Sequence, residues 1–225
     1  RVSMLTGKTD QNAAPSSFHE IMPSADGKKN VGKVISDNYE VVEGSWPKNK
    51  NEVVLVLDEN NSLSLTTVYE LGLKSASEYH DMMNQLNSGD DVKTDTKKID
   101  YSDVIDRTLK LLPACDQYVK GDNGHWTYAG DDVDQINALI YSDKAINLKI
   151  VGVVKPVEDA DATPLSSGVG YTRALTNELI DRAESSEIVT EQRSDKDHNV
   201  LNGMKDRTAR WYYYSAQANS GLGNN

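Results

Sequence analysis

The chain has 225 residues, and its 35 acidic and 24 basic side chains give a formal net charge of −11. A surface this acidic repels phosphate backbones, so the composition argues against nucleic acid as a partner. The single cysteine, Cys115, excludes a disulfide framework within the chain and any metal cluster held by several cysteines.

The chain divides by composition into three parts. Residues 1–30 are poor in large apolar side chains, and we interpret them as a flexible N-terminal arm. Residues 31–203 carry the apolar runs that predict a folded core. Residues 204–225 are a polar and aromatic tail that includes Trp211-Tyr-Tyr-Tyr214. Short basic clusters, such as Lys28, Lys29 and Lys33, lie in polar stretches without interleaved aromatic residues, and they are interpreted as solvated loops.

The first half of the core predicts two strands and two helices. Tyr39-Glu-Val-Val42 indicates a strand that ends in a turn at Glu43-Gly-Ser-Trp-Pro47. The apolar run Val53-Val-Leu-Val-Leu57 lies between turn-forming residues, which is typical of a central buried strand. A short helix is predicted over residues 65–71. A second helix, over residues 79–86, follows a capping box and places four apolar side chains on one face.

The second half of the core predicts two further strands and two helices. The strands are Thr108-Leu-Lys-Leu-Leu112, which Pro113 ends, and the buried run Leu148-Lys-Ile-Val-Gly-Val-Val154. The first helix, capped at Asp131-Asp132, carries an apolar face of Val133, Ile136, Leu139 and Ile140. The second helix begins near residue 172 and carries Leu175, Leu179, Ile180 and Ala183. Because helices and strands do not alternate strictly, the predicted class is α+β, a mixed β-sheet with packed helices, possibly in two lobes.

Two glycine-containing segments resemble phosphate-binding loops only in part. Gly7-Lys8-Thr9 matches the end of a Walker A loop, but position 2, where the motif requires glycine, is valine. Ser167-Gly-Val-Gly170 has neither the dinucleotide-binding nor the P-loop spacing, and a tight connection into the next helix is favoured. The sequence therefore predicts no nucleotide site and no cofactor.

One acidic segment is the best candidate for a metal site. Asp195, Asp197, Asn199 and Asp206 would supply oxygen ligands at positions 1, 3, 5 and 12 of a calcium loop. The sixth position, where the sharp turn requires glycine, is Val200, and the twelfth is aspartate instead of the longer glutamate. We therefore interpret the segment as a solvated acidic loop and predict no metal site.

No constellation of residues predicts catalysis. The segment around Cys115 has no signature of a nucleophilic cysteine, and acidic pairs such as Asp159 and Asp161 are common in so acidic a chain. The histidines are scattered and form no zinc-binding pair at helical spacing: His19, His80, His125 and His198. The chain is expected not to be an enzyme.

Four segments, in this order, resemble the large extracellular domain of MacB/FtsX-type ABC transporter permeases from Gram-positive bacteria. The resemblance covers residues 35–203, and the order and spacing of the segments give it weight. The segments are Tyr39-Glu-Val-Val-Glu-Gly-Ser-Trp-Pro-Lys48, Asn51-Glu-Val-Val-Leu-Val-Leu-Asp-Glu-Asn-Asn61 with Tyr69-Glu-Leu-Gly-Leu73, Leu148-Lys-Ile-Val-Gly-Val-Val-Lys-Pro156, and Gly168-Val-Gly-Tyr-Thr-Arg-Ala-Leu-Thr176.

This resemblance implies a MacB periplasmic-core-like fold on the extracellular face of the cell membrane, inserted between the first and second transmembrane helices of a permease. Such transporters hydrolyse ATP in the cytoplasm and use the outer domain to drive export or extraction of a substrate. The implied partners are the transmembrane helices and ATPase domain of the parent transporter, with a second permease copy or the exported substrate. Both ends of the core would then lie at one pole, namely residues 31–34 and the exit beyond residues 172–193.

Two parts of the chain depart from the family pattern, residues 1–30 and the stretch after Gly203. The alternative is a free-standing secreted or lipid-anchored module that captures a peptide or a glycan. In both cases Trp46 is expected to be substantially buried and structural, because an aromatic residue in a Gly-Ser-Trp-Pro turn has no polar role there.

Overall fold

The computed structural model describes residues 18–63, 67–68 and 100–205. These residues form six strands of one mixed sheet, a separate two-stranded hairpin and four helices, so the predicted α+β class is confirmed. Residues 67–68 are helical. The remainder of the helix predicted over residues 65–71, the helix predicted over residues 79–86, and Trp211-Tyr-Tyr-Tyr214 lie outside the described residues.

The strands and helices of the described residues have the following bounds. The strands are β1 (Phe18–Glu20), β2 (Tyr39–Gly44), β3 (Glu52–Val56), β4 (Thr108–Leu111), β5 (Tyr118–Lys120), β6 (Trp126–Tyr128), β7 (Ile146–Pro156) and β8 (Gly168–Tyr171). The helices are α1 (Lys33–Asn38), α2 (Val133–Ile140), α3 (Arg173–Ser185) and α4 (Glu187–Ser194).

Strand β7 organises the large sheet, whose order is β1-β8-β3-β7-β2, with β4 also paired to β7. Along its 11 residues, β7 pairs parallel with β3, antiparallel with β4 over residues 146–149, and antiparallel with β2 over residues 152–156. Strand β8 pairs antiparallel with β3, and β1 pairs parallel with β8. Strands β5 and β6 form the separate hairpin.

The centre of the sheet is buried on both faces, and β3 shows this most clearly. Val53 and Leu55 pack into one apolar cluster, whereas Val54 and Val56, which point to the opposite face, pack into the other. All four side chains are at most 1% exposed. Alternate residues of a strand point to opposite faces, so a continuous apolar run suits a strand covered on both sides. The predicted central buried strand is confirmed.

Strands β2 and β7 approach each other closely where two glycines face one another. Gly44 pairs with Gly152 and has φ +73°. A Cβ atom on Gly44 would lie 2.2 Å from the Val151 carbonyl oxygen, and one on Gly152 would lie 2.2 Å from the Ser45 carbonyl oxygen. The turn after β2 can therefore fold onto β7 only if both positions lack a side chain.

The prediction of a loosely packed arm that extends to residue 30 is wrong for residues 18–21. Phe18 pairs with Val169 in the sheet, and Ile21, which is 0% exposed, packs in the second cluster. The Glu20 carboxylate also contacts the side chains of Arg173 and Thr176 on α3. Residues 1–17 lie outside the described part of the chain.

The connection expected at residues 167–170 is also different in the structure. Residues 168–171 form β8, which is hydrogen-bonded to β3 on one side and to β1 on the other. The small size of Gly170 has a packing reason, since a Cβ atom there would lie 3.1 Å from Ile21 Cγ1 and 3.2 Å from Val54 Cγ2.

The two later helices form where the sequence predicts them, but their apolar faces are less buried. On α2, Ile140 is 3% exposed, whereas Val133, which was predicted on the same apolar face, is 72% exposed and lies at the surface. Leu175 is buried, but Ile180 is 52% exposed. The helical region after residue 172 is divided at Ser186, which has extended backbone angles and whose hydroxyl accepts a hydrogen bond from the Val189 N–H.

The strand pairings and hydrogen bonds show where the two ends of the predicted core lie, namely residues 31–34 and the chain beyond residues 172–193. The Asn30 side chain donates to the Lys48 carbonyl just before β3, and β3 and β7 run parallel. Strand β4 ends opposite Ile146, the first residue of β7, and the chain then continues into the hairpin. The Trp126 N–H in the hairpin donates a hydrogen bond to the Val200 carbonyl, so the chain after α4 lies beside the hairpin. Both regions thus lie toward the end of the sheet where β3 and β7 begin. Strand β1 runs toward the same end, so the chain enters the sheet from the opposite side.

Candidate functional site

A groove of about 450 Å³ lies between the turn that follows β2 and the segment that precedes α1. The groove is shallow and largely open to solvent. The groove is mainly apolar on its surface, and the residues that line it come from two parts of the chain: Lys29, Asn30, Val31 and Ser36 on one side, and Ser45, Trp46, Pro47 and Lys48 on the other.

The floor of the groove belongs to the protein core. Val31 and Trp46 are both partly buried and pack against the second apolar cluster, and Pro47 is buried. Trp46 is partly buried and contacts the core, in agreement with the prediction, and it also lines the groove. Its position follows from the glycine at residue 44, whose left-handed backbone turns the chain where β2 meets Gly152 in the middle of β7.

The two walls are fixed to each other by hydrogen bonds. The Asn30 side-chain amide donates to the carbonyl oxygens of Lys48 at 2.7 Å and Pro47 at 3.4 Å. The Gly32 N–H donates to the Met22 carbonyl at 2.7 Å, which holds the first wall against the strand edge. These bonds join residues 30–32 to main-chain carbonyls of two other segments, residues 47–48 and residue 22, so contacts within the chain itself hold the two walls together.

Two lysines lie at the rim of the groove, and hydrogen bonds to side chains hold the main chain of each. The Lys29 N–H donates to Ser24 Oγ at 2.9 Å, and the Lys48 N–H donates to Glu52 Oε2 at 2.7 Å. Within the described residues, neither ammonium group has an ion-pair partner, whereas the neighbouring Lys50 pairs with a glutamate at 2.7 Å. The Asp26 carboxylate, whose pKa the Ser24 hydrogen bond lowers and Lys29 lowers further, and the Glu52 carboxylate lie beside these lysines, so the rim carries charges of both signs.

The sequence placed these two features in different segments and did not combine them. It assigned Lys29 to a solvated loop without aromatic residues and Trp46 to a structural turn. The fold brings the two together through the Asn30 bonds across the groove. Asn30 itself is a common loop residue, so no local pattern could have identified the contact.

The acidic segment proposed as a weak metal candidate is a hydrogen-bonded turn. The Asp195 carboxylate accepts the N–H groups of Asp197 and His198, each at 3.1 Å, and lies 3.1 Å from His198 Nδ1. The side-chain bond to His198 lowers the pKa of Asp195. Asn199 Oδ1 accepts the Leu201 N–H at 2.8 Å.

Within the ranges that the structure describes, no group of three or more His, Cys, Asp or Glu side chains could hold a metal ion. Asp206, the twelfth position of the candidate loop, lies outside those ranges.

Calcium is expected to have little effect on the stability of this protein. The Asp195 carboxylate already accepts local hydrogen bonds, and a metal-binding turn would have to break them. A site occupied at 100 times its dissociation constant would add about 2.7 kcal/mol to the free energy of unfolding. We expect no such change when the melting temperature is measured with millimolar calcium and with chelator. A rise of many degrees that Asp195→Ala abolishes would contradict this expectation.

The remaining sequence candidates do not form reactive sites. The main-chain groups of residues 168–171 bond to β3 and β1, so they cannot cradle a phosphate. Burial raises the pKa of the Cys115 thiol, and the adjacent Asp116 carboxylate raises it further. Both effects favour the protonated thiol, which is the less nucleophilic form. His19 is next to β8 in β1, while His125 and His198 lie near the hairpin and the turn after α4.

A polar cluster joins the hairpin to α4, and the sequence did not predict it. Glu191 Oε2 accepts hydrogen bonds from Lys120 Nζ and Trp126 Nε1, both at 2.9 Å. The Gln192 side chain donates to the His198 carbonyl at 2.8 Å and accepts the Val200 N–H at 3.1 Å. These bonds attach the chain after α4 to the hairpin. The partners of Glu191 are 65 and 71 positions away, a separation at which residue type alone gives no signal.

The Glu191 cluster is expected to make stability pH-dependent on the acidic side. The Lys120 and Trp126 bonds hold the pKa of Glu191 below its ordinary value. A carboxyl with a depressed pKa stabilises the fold above its unfolded pKa, about 4.3 for glutamate, and this stabilisation is lost as the pH falls through the folded pKa. Glu191→Gln should lower the melting temperature at pH 7 and reduce its decline toward pH 3.

Glu187→Gln on the same helix is the matched control for that experiment, because Glu187 is 74% exposed in its side chain and lies 3.9 Å from Lys120. It removes the same charge with a much weaker contact. Equal profiles for the two variants would show that the Glu191 bonds do not stabilise the fold.

Among the described residues, no helix is both long enough and apolar enough to span a bilayer. Comparison of the chain with known protein families, curated proteins and solved structures found no match.

Proposed function

We propose that this chain is the extracellular domain of a MacB/FtsX-type ABC transporter permease. In this role it has no catalytic activity of its own, and it couples ATP hydrolysis in the cytoplasm to the export or extraction of a substrate. Its partners would be the transmembrane helices and the ATPase domain of the parent transporter. A second permease copy or the substrate would contact the surface that faces away from the membrane.

The observation that carries this proposal is the position of the four family-like segments in the fold. They contain β2 with its turn, β3, β7, and β8 with the start of α3. These strands are neighbours in the order β8-β3-β7-β2, although residues 74–147 of the chain separate the second segment from the third. The four segments thus form the centre of one sheet, as a shared core fold would require.

The motif residues also have architectural roles that a shared fold would require. Gly44 permits the close approach of β2 to β7, and Gly170 leaves room for Ile21. Trp46 attaches the turn to the core. Residues of this kind preserve a backbone geometry, which is consistent with a domain that transmits movement and performs no chemistry.

The coding sequence on either side of this segment provides the direct test. The proposal expects an ATPase with a complete Walker A motif and apolar segments of roughly 20 residues on both flanks, the length that spans a bilayer. A signal peptide or a lipobox cysteine directly before Arg1, with no apolar segment after the chain, would refute the permease assignment.

The isolated chain is expected neither to bind nor to hydrolyse ATP. In the family the nucleotide binds a cytoplasmic domain, and an acidic chain repels a triphosphate. Calorimetric titration with ATP and magnesium should give no saturable heat at millimolar nucleotide, and phosphate release should equal that of buffer. A saturable heat of binding would contradict the proposal.

The alternative is a free-standing module that binds a peptide or glycan, and the groove beside Trp46 favours it. A preformed groove with an aromatic floor and unpaired charges at its rim is a common arrangement for ligand capture. The flanking sequence distinguishes this alternative from the permease, as described above.

A further inference from the structure

We propose that Asn123, at the tip of the β5–β6 hairpin, is a site of self-modification, where the side-chain amide is lost as ammonia and the residue becomes aspartate or isoaspartate. The chain contains one other asparagine that precedes a glycine, Asn202, and the fold protects that residue. The proposal does not depend on the transporter assignment, because the reaction needs only this chain and water.

The reaction proceeds through a five-membered succinimide ring. The main-chain nitrogen of Gly124 gives up its proton to water and bonds to Asn123 Cγ. The bond between Cγ and the side-chain nitrogen breaks, so ammonia leaves. Water then adds to either ring carbonyl and opens the ring to aspartate or isoaspartate, and nothing is oxidised or reduced. A glycine in the next position favours ring closure, because no Cβ atom obstructs the attacking nitrogen.

The two asparagines have the same local geometry, so both are chemically competent. Asn123 Oδ1 accepts the His125 N–H at 3.0 Å, and Asn202 Oδ1 accepts the Met204 N–H at 2.9 Å. Such a bond stabilises the negative charge that forms on Oδ1 during the attack. Both asparagines are exposed, and the glycines that follow them have φ +78° and +66°. Any difference in rate must therefore come from the surroundings of the two turns.

The hairpin tip, residues 121–124, is bonded mainly to itself. All four residues are exposed, and a Cβ atom on Gly124 would meet nothing within 4 Å. The Gly124 N–H donates to the Gly121 carbonyl at 2.9 Å, and the Gly121 N–H donates to the His125 carbonyl at 2.8 Å. The strands behind the tip have three residues each. The tip can therefore open while the contacts between the hairpin and α4 stay in place.

Asn202 lies in a turn that is held more firmly. The Gly203 N–H, whose nitrogen would attack, donates to the Asn199 carbonyl at 2.7 Å. The Asn199 N–H in turn donates to the Met204 carbonyl at 2.9 Å, which closes the turn. The His125 ring covers the glycine, since a Cβ atom on Gly203 would lie 2.6 Å from His125 Cε1. The attacking nitrogen is thus bonded and has little room to move.

The same turn is attached to α4 and to β6. The Val200 N–H donates to Gln192 Oε1 at 3.1 Å, and the Val200 carbonyl accepts the Trp126 N–H at 3.0 Å. A turn reacts only through the fraction of molecules in which it is open. Each additional hydrogen bond that must open slows the reaction about two- to tenfold. We therefore expect Asn123 to convert about tenfold faster than Asn202 in the folded chain.

Conversion changes the hairpin in charge and in length. Each product adds a carboxylate next to Asp122, and isoaspartate also adds one carbon atom to the main chain between β5 and β6. Trp126, whose main-chain and indole N–H groups bond to Val200 and Glu191, follows closely after the lengthened tip. The modification therefore falls beside the junction between the hairpin and the chain after α4.

The test is incubation of the full 225-residue chain at pH 8 and 37 °C, followed by proteolysis and mass spectrometry. The peptide that contains residue 123 should gain the mass difference between an amide and an acid about tenfold faster than the peptide that contains residue 202. Enzymatic methylation of isoaspartate distinguishes the two products. In urea, where both turns are unfolded, the two sites should convert at similar rates, because glycine follows both.

The variant that tests the protection of Asn202 is Asn199→Ala, which removes the side-chain oxygen that accepts the Leu201 N–H at 2.8 Å. It should speed conversion at Asn202 about two- to tenfold and leave the rate at Asn123 unchanged. Asp197→Ala is the matched control, because Asp197 is an exposed residue of the same segment and its replacement leaves the bonds of Asn199 in place. It should change neither rate.

Four outcomes would overturn the proposal. They are no conversion at Asn123 in the folded chain, conversion at Asn202 that is equal or faster, the same preference for residue 123 in urea, and an unchanged rate at Asn202 in the Asn199→Ala variant. The amide spectrum of each variant reports whether it is folded, so a loosened turn is distinguished from a lost structure.

Discussion

Ile21→Ala is expected to lower the free energy of unfolding by about 2–5 kcal/mol, the usual cost of truncating a fully buried isoleucine. Ile21 is 0% exposed and lies against Gly170 in the second apolar cluster. Since Gly170 belongs to β8, the cavity would open where the first strand of the chain meets one of the last. Urea unfolding followed by circular dichroism measures the change, with the slope of the transition as a check on two-state behaviour.

Met22→Ala provides the matched control, because this neighbouring residue is 46% exposed. Its main-chain carbonyl holds the Gly32 N–H, and the substitution leaves that bond in place. A change within about 0.5 kcal/mol is expected. Equal and small effects of the two substitutions would show that residues 18–22 are the loose arm that the composition predicts.

Gly44→Ala is expected to lower the free energy of unfolding more than any other glycine-to-alanine substitution in the turn after β2. Two costs combine at this position. A non-glycine residue at φ +73° costs about 1–2 kcal/mol, and the new Cβ atom would lie 2.2 Å from the Val151 carbonyl oxygen. Overpacking of this kind costs about a further 1–3 kcal/mol, because strand β2 must move away from β7. The free energy of unfolding measures the sum.

Gly124→Ala separates the two costs. Gly124 has φ +78°, but a Cβ atom there would meet nothing within 4 Å. It should therefore lose only the backbone contribution of about 1–2 kcal/mol. If the two alanine variants are equally stable, the close approach of β2 to β7 is not a constraint on this fold.

The sheet strands with continuous apolar runs could be predicted from the sequence, and the reason is physical. A strand buried on both faces, such as Val53-Val-Leu-Val-Leu57, needs apolar residues at every position, so its own composition reveals it. Strands β3 and β7 were predicted in this way, and the less buried strands β2 and β4 were also predicted, all with small differences in their ends. The α+β class followed from their arrangement along the chain.

Strands β1 and β8 could not be predicted, because neither carries enough apolar surface by itself. Strand β1 is three residues long, and β8 is Gly-Val-Gly-Tyr. Each is a strand because of its partner: β8 lies between β1 and β3, and Ile21 fills the space that Gly170 leaves. Stabilisation that comes from a distant segment leaves no periodic pattern in the local sequence.

The groove was missed for the same reason. Its basic rim residue Lys29 and its aromatic floor residue Trp46 are 17 positions apart, and each is unremarkable in its own segment. Their combination depends on the hydrogen bonds that Asn30 makes across the groove. Residue type alone therefore gives no sign of the surface that the fold assembles.

The pairing of β1 with β8 has a consequence for how the protein is made. Glu20 and Arg173, which touch in the folded protein, are 153 positions apart. At about 5–20 residues per second, the ribosome needs roughly 8–30 s to deliver the partner of the first strand. Throughout that interval Phe18 lacks its strand partner Val169, and Ile21 lacks its contact with Gly170. A chain terminated before residue 168 would therefore lack β8, and β1 would lose the strand with which it pairs in the sheet.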